Sequence, residues 1–421
     1  MQASNRKNIK TLSSASTASD TATTDDHGTK GKIQVQAREP ESSTRILLGV
    51  VTVSLLAIPI CYILSHVTQM ENSFYVFLCG VVICTSVAPL TYHLLIKRIL
   101  HVKRETYFYV FTIFSFTAMV DLLLALTIDN YSSACHFYLE QGEVYLKTSH
   151  GLFINYWDGT VHYTLYLIML YCILKKQTNK KFYRFLSLFW CGSILNSMIV
   201  LLGGAAAGQF GTHIKPSYLL NIPYAMFPLI FVIRRFRART DFINQRQQKR
   251  GNKTYTIPKS LISRPLDIFF IAYLLFAIIF AIYRVLHVLR SPMMTQSVYY
   301  EYEPYMLNAS GFPLIQLITY AFYFVPYYCS TINALLFYNQ QSSKFQWLPD
   351  WTMVHAGAAA QAQFSYLFSS LHSPTLFPDS SWSAVPSQYR FIIVGLNSIL
   401  AIVPQLLAFR ICGGVKDQEF Y

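Results

Sequence analysis

Ten apolar stretches alternate with polar segments along the chain. The hydrocarbon core of a bilayer is about 30 Å thick, so a helix that crosses it needs about 20 predominantly apolar residues. Backbone groups in that core must be satisfied internally, which favours helices. The pattern therefore predicts an all-α polytopic membrane protein. About ten transmembrane helices are expected, at approximately 46–65, 74–96, 107–128, 151–174, 185–204, 218–233, 268–289, 312–338, 351–371 and 391–409.

Composition agrees with this interpretation, and the charges indicate an orientation. Apolar residues make up 53% and charged residues 13% of the 421 positions, a balance typical of a chain embedded in lipid. The net charge is +14, but 29 of the 34 Lys and Arg residues lie in alternate segments on the side of the N-terminus, and four lie on the other side. This is the positive-inside pattern. It predicts that both termini are cytosolic, and it argues against a nucleic-acid partner.

A weak internal repeat divides the chain. Glu143 recurs as Glu303 after 160 positions, and Asn221 recurs as Asn397 after 176. The spacing predicts two N-terminal helices followed by two tandem four-helix units. The expected divisions are a disordered cytosolic tail (1–44), the two N-terminal helices (45–103), unit 1 (104–235), a basic cytosolic linker (236–263), unit 2 (264–412) and a cytosolic tail (413–421).

Ionisable residues within the predicted helices are the strongest functional signal, because a charge at membrane depth is costly unless it is paired or solvated. Asp158 and His162 lie one turn apart on one helix and can share a proton. We expect a small acidic pocket in unit 1 that suits a ligand with an apolar body and one polar or cationic handle. A structural role, in which these groups only tie helices together, is the alternative. The ligand-binding candidates are Asp121, Glu143, Trp157, Asp158, His162 and Asn221.

Other polar residues predict less. Arg284, near the end of the seventh helix, is expected to extend its charge to the membrane surface. Asn130 and Asn308 stand in Asn-X-Ser sequons in predicted lumenal loops, and both are candidate glycosylation sites. The eight cysteines form no Cys-X-X-Cys pair, which indicates neither a zinc site nor a disulfide framework. We expect no metal and no cofactor.

Several long irregular motifs resemble the transmembrane 6 superfamily. They include HGLFINYWDGTVHY from His150, YEPY from Tyr302, WLPDW from Trp347, AQAQFS from Ala360 and PQLLAFR from Pro404. The resemblance extends from about Ile46 to Cys412. It implies two copies of the EXPERA domain, a four-helix unit that also occurs in the emopamil-binding sterol isomerases and the sigma-two receptor. The repeat described above fits that arrangement.

The resemblance implies a lipid-handling protein of the endoplasmic reticulum and early secretory pathway, with the lysosomal membrane as the alternative location. Asp121 and Asp158 look similar to the acidic positions of the isomerases, but Thr117 stands where those enzymes have a histidine one turn before the first acid. An isomerase would therefore have to use Asp121, Asp158 and His162. The equivalent positions in unit 2 are expected to be Arg284, Glu303, Gln316 and Asn397.

Three classes of function remain open from the sequence. The first is a lipid- or sterol-binding regulator of triglyceride, lipoprotein or cholesterol handling, which does not need catalysis. The second is a sterol or lipid isomerase that uses acid–base chemistry. The third is a lipid transporter. We expect the first, with a lipid or sterol as ligand and with protein partners in lipid secretion as a further expectation.

Overall fold

The computed structural model describes residues 43–66, 72–97, 100–250, 260–294, 297–337, 345–377 and 382–413. Within these ranges the chain is helical and contains no β-strand. Ten long helical segments follow one another. They are α1 (Ser43–His66), α2 (Ser73–Ile96), α3 (Thr106–Ile128), α4 (Ser149–Trp157, Asp158–His162 and Tyr163–Leu174), α5 (Lys181–Ala207), α6 (Ile222–Arg250), α7 (Pro265–Val288), α8 (Phe312–Thr319, Tyr320–Phe324 and Val325–Leu336), α9 (Leu348–Leu371) and α10 (Arg390–Gly413).

These ten segments match the ten predicted helices, which confirms the all-α membrane fold. Seven described helices, α1, α2, α3, α5, α6, α7 and α10, are long and apolar enough to cross a membrane. The other three are of similar length but carry more polar side chains. α9, for example, is buried along most of its length in spite of its glutamines, serines and one histidine.

Helix α6 runs well beyond its predicted end. It reaches Arg250, so the first part of the predicted basic linker (236–263) is a continuation of the helix. Residues 251–259 lie outside the described residues, as do 1–42 and 414–421 of the predicted tails. The division into two four-helix units stays a prediction.

The most extensive contact between helices joins α5 to α9, that is, predicted unit 1 to predicted unit 2. A Cβ atom on Gly192 would lie 1.7 Å from the carbonyl oxygen of Val354, and one on Gly357 would lie 1.9 Å from that of Phe189. Small residues let helix backbones approach closely where burial in lipid offers no hydrophobic driving force. The described residues from Arg45 onward form one compact unit.

A buried hydrogen-bond group strengthens this contact. The side-chain amide of Asn196 on α5 donates to Gln361 on α9 at 2.6 Å and to Gln316 on α8 at 3.1 Å. Each of these side chains is at most 3% exposed. Gln316 therefore joins the two predicted units.

Three of the helices, α2, α4 and α8, contain a π-helical turn, at Tyr92–Ile96, Asp158–His162 and Tyr320–Phe324. Such turns insert one extra residue into an α-helix and often occur at functional sites. The turn in α4 contains two of the residues singled out in the sequence. The π-helical turn in α4 therefore marks the position of the candidate functional site.

Candidate functional site

A cavity lies between α1 and α2 on one side and α3 to α6 on the other. Its empty space, counted out to its opening, is about 1030 Å³. Most of its wall is apolar, as is usual for a small-molecule site in which a few polar groups fix the orientation of the ligand. The polar side chains in the wall belong to Thr117, Asp121, Tyr138, Glu143, Asn155, Asp158, Asn221 and Tyr224.

Two aspartates from neighbouring helices face this cavity, Asp121 from α3 and Asp158 from α4. Gly159 lets the helices meet there, because a Cβ atom at that position would lie 2.8 Å from the Cα atom of Leu122. Asp121 has no hydrogen-bond or ion-pair partner within the described part of the chain. A carboxylate at this depth needs such a partner, so Asp121 is available to a ligand.

Asp158, in contrast, is held from behind by a chain of buried groups. Its Oδ1 lies 2.6 Å from Nδ1 of His162. The other ring nitrogen, Nε2, lies 2.7 Å from Ser193 Oγ on α5. Trp157 Nε1 donates to Ser193 Oγ at 2.9 Å and approaches His162 Nε2 at 3.3 Å. His162 and Ser193 are completely buried.

Trp157 and Ser193 form the hydrogen-bonded part of this group. The indole N–H is only a donor, so Trp157 donates to Ser193 Oγ, and the Ser193 hydroxyl can in turn donate to Nε2 of His162. Nδ1 of His162 and Oδ1 of Asp158 lie close together, but neither atom has a hydrogen-bond partner within the described part of the chain. Asp158 therefore stands at the cavity wall with a buried ionisable side chain directly behind it.

The third acid, Glu143, lies in the loop between α3 and α4, outside the membrane-spanning segments, and is 3% exposed. It accepts hydrogen bonds from the Tyr138 hydroxyl at 3.0 Å and from the Asn221 side-chain amide at 2.6 Å. Burial raises the pKa of the Glu143 carboxyl to about 7, although hydrogen bonds from Tyr145, Tyr138 and Asn221 oppose that rise. Glu143 can therefore change its charge near neutral pH.

Comparison with known proteins identifies the family. A family model described as "Transmembrane 6 superfamily member 2-like, transmembrane domain" matches residues 56–246. Transmembrane 6 superfamily member 2 from Mus musculus is 38% identical over 369 residues, which cover 86% of this chain and 91% of that protein. The Homo sapiens protein of the same name is 35% identical over 373 residues, with the same two shares of coverage.

The chain belongs to the transmembrane 6 superfamily. Every residue in the cavity wall, from Ile60 to Tyr224, lies within the segment that matches the family model. The cavity is thus built from the part of the chain that the family model covers. No solved structure matches the chain.

In this transmembrane 6 superfamily chain, helices α7 to α10 hold a different polar group. Arg284 on α7 forms an ion pair with Glu303, and its guanidinium also donates to Asn397 Oδ1 at 3.2 Å. Arg284 is 1% exposed and Glu303 is completely buried. The guanidinium lies 4.8 Å from the ring centroid of Phe280 and 4.7 Å from that of Tyr366, which are distances typical of cation–π contact.

This pair corrects one expectation from the sequence. Arg284 does not extend to the membrane surface, because Glu303 and Asn397 surround its charge inside the protein. The predicted repeat pairs Arg284 with Asp121 and Glu303 with Glu143. Arg284 and Glu303 form an ion pair, whereas both residues of the first cavity are acids.

The other predicted site residues divide into two groups. Asp121, Glu143, Asp158 and Asn221 line one cavity. His162 and Trp157 are absent from its wall and support Asp158 from behind. Sequence reasoning missed the contribution of α1 and α2, which supply Ile60, Cys61, Leu64, Val76, Cys79, Gly80, Ile83 and Cys84.

The two candidate glycosylation sites differ in exposure. The Asn308 side chain is 8% exposed, and its Oδ1 accepts a hydrogen bond from the backbone N–H of Ser310 in its own sequon. Asn130 is exposed and has a φ of 65° at the end of α3. A bulky glycan fits the exposed side chain of Asn130 and not the buried one of Asn308.

Proposed function

We propose that this protein binds a lipid or sterol in the cavity of its first six helices and acts as a regulator of lipid metabolism without being an enzyme. The observation that carries the proposal is the charge of the cavity wall. Three carboxyl groups face a mostly apolar chamber, and no lysine or arginine belongs to its lining among the described residues. The ligand has an apolar body that fills the chamber and a hydroxyl or amine that meets the acids.

Arg284 supports the choice of an amine or another cationic donor as the handle. In the second half of the chain, a guanidinium lies against Glu303 and Asn397, between two aromatic rings. In the first half, Glu143 and Asn221 are equivalent in the repeat but face open space. A ligand cation in the first cavity takes the place that the arginine side chain takes in the second.

The location follows from the expectations of the sequence. We propose a multi-pass protein of the endoplasmic reticulum or the endoplasmic reticulum–Golgi intermediate membrane, with both termini in the cytosol. Basic residues concentrate in the segments on the N-terminal side. Lipid secretion is the process in which protein partners are to be sought.

An isomerase is the second candidate, and the buried chain behind Asp158 favours it. His162 can receive a proton from Asp158 across 2.6 Å and return it. Asp121 would then act as the second acid or base on the same ligand. His162 itself does not reach the cavity, so Asp158 would be the group that touches the substrate.

Binding to variants separates these functions. Purified full-length protein is titrated with fluorescent cholesterol and, separately, with a fluorescent long-chain amine, and the bound sterol is extracted and analysed for double-bond migration. A binding protein gives tight binding without product, and Asp121→Asn and Asp158→Asn each weaken amine binding at least tenfold. Asp129→Asn, a carboxylate outside the cavity, is the matched control.

Two results would contradict the proposed function. Product that forms with wild type and disappears with Asp158→Asn would establish the isomerase. Amine and sterol binding that is equal in wild type and both cavity variants would refute the proposed site.

A further inference from the structure

The far end of α1 is docked onto the loop between α3 and α4. Ser65 Oγ donates a hydrogen bond to the carbonyl oxygen of Ala134 at 2.5 Å. Cys61 lies one turn earlier on α1, and Cys135 directly follows Ala134, so this contact brings two cysteines together. Both cysteines belong to the same buried apolar cluster, and the side chain of Cys61 interacts with the Cys135 thiol.

Both thiols occupy protected positions. Cys61 is 4% exposed and Cys135 is completely buried, and neither belongs to a disulfide in the structure. Cys61 also forms part of the cavity wall. A disulfide between them requires an S–S distance of about 2.0 Å and Cα atoms about 4.4–6.8 Å apart.

The compartment decides whether such a pair oxidises. The loop between α3 and α4 lies on the side that the charge pattern predicts to be lumenal, and the lumen of the secretory pathway favours disulfides. We propose that Cys61 and Cys135 form a disulfide that ties α1 to this loop and fixes one wall of the cavity. The proposal rests on the predicted orientation and does not depend on the identity of any ligand.

The chemistry is an ordinary thiol–disulfide exchange. An oxidant of the disulfide class, either glutathione disulfide or a protein disulfide, receives the two electrons and both protons. One cysteine attacks the oxidant and forms a mixed disulfide, and the second displaces the remaining thiol. One S–S bond breaks, one forms between Cys61 and Cys135, and the oxidant leaves as two thiols. Because the folded protein buries both sulfurs, the exchange takes place before the loop docks on α1.

This disulfide would not follow from the sequence pattern. The two cysteines are 74 positions apart and belong to no Cys-X-X-Cys motif. The tie would hold α1 at a point where its other face is largely exposed to lipid, with Tyr62 and Ile63 about half exposed. Because α1 contacts the rest of the protein on one face only, a covalent link would fix its position in the cavity wall.

The test uses the full-length protein from cells. Free thiols are blocked with N-ethylmaleimide at lysis, and the protein is digested without reduction and analysed by mass spectrometry. The expected result is a linked pair of peptides containing Cys61 and Cys135, which separates on reduction. Recovery of both cysteines as N-ethylmaleimide adducts, or of either joined to another cysteine, overturns the proposal.

Cysteine variants test the same pairing by counting the thiols that react before and after reduction. In denatured wild-type protein, polyethylene-glycol maleimide adds to at most six of the eight cysteines before reduction and to eight after it. Cys135→Ala releases Cys61, so reduction no longer increases the number of reactive thiols. Cys79→Ala is the matched control, since Cys79 lines the same cavity but lies on α2. In this variant, reduction must still expose two thiols, and a gain of none contradicts the proposed pairing.

Discussion

Replacing Arg284 by alanine tests the reasoning about charges inside the bundle. The substitution leaves the completely buried Glu303 carboxylate with one hydrogen bond, from the Tyr299 hydroxyl, and no cation. Removing one partner of a buried ion pair costs about 3–5 kcal/mol, because the remaining charge is desolvated and unpaired. For a chain of this size that loss corresponds to a decrease in melting temperature of about 5–10 °C.

The assay is thermal unfolding of detergent-purified protein, followed by the loss of the monodisperse peak in size-exclusion chromatography. Arg284→Ala combined with Glu303→Gln should regain part of the lost stability, since no unpaired charge remains. Methylguanidinium should raise the melting temperature of Arg284→Ala alone, by filling the vacated space between two aromatic rings. Arg237→Ala, an exposed arginine on α6, is the control and should melt like wild type.

Two outcomes would refute this reasoning. A melting temperature of Arg284→Ala equal to that of wild type would mean that Glu303 is not held by the arginine. A double variant less stable than Arg284→Ala would mean that the carboxylate, and not its missing partner, stabilises the bundle.

Three further predictions follow from other parts of the fold. Burial raises the pKa of the Glu143 carboxyl to about 7, so this group loses its charge below that pH. The affinity for the amine should therefore decrease as the pH is lowered, at most about tenfold per pH unit. Glu143→Gln should remove the part of this pH dependence that is due to Glu143. Gly192→Val should abolish the monodisperse peak because of its 1.7 Å clash, whereas Gly395→Ala, with nothing within 4 Å, should not. Any glycosidase-sensitive mobility shift should disappear with Asn130→Gln and persist with Asn308→Gln.

The helices were largely predictable from the sequence because a bilayer fixes their length and composition. Nine of the ten predicted segments end within about four residues of the observed helices. α6 is the exception. The end of an apolar stretch indicates where a helix leaves the membrane, but the helix itself can continue beyond that point. The same helix continues beyond Ile233 through a segment rich in arginine.

The site was only partly predictable, for reasons of geometry. Asp121 and Asp158 stood out because charges are rare in apolar helices. The part of the cavity wall that α1 and α2 supply carries no such signal. Apolar residues such as Ile60 and Val76 suit a cavity wall and a lipid-facing surface equally, so the sequence does not distinguish the two. The π turn directs His162 to Ser193 and away from the cavity, which an α-helical spacing of four did not indicate.

The measurement that tests the central claim most directly is the position at which a ligand attaches. A photoreactive cholesterol and a photoreactive long-chain amine are each cross-linked to the full-length protein in membranes, and the labelled peptides are mapped. The account predicts labels on cavity residues of α1, α2 and α3, such as Ile60, Ile83 and Val120. An excess of the unlabelled compound should reduce this labelling by competition. Labels confined to α7–α10 or to lipid-facing residues, without competition, would contradict it.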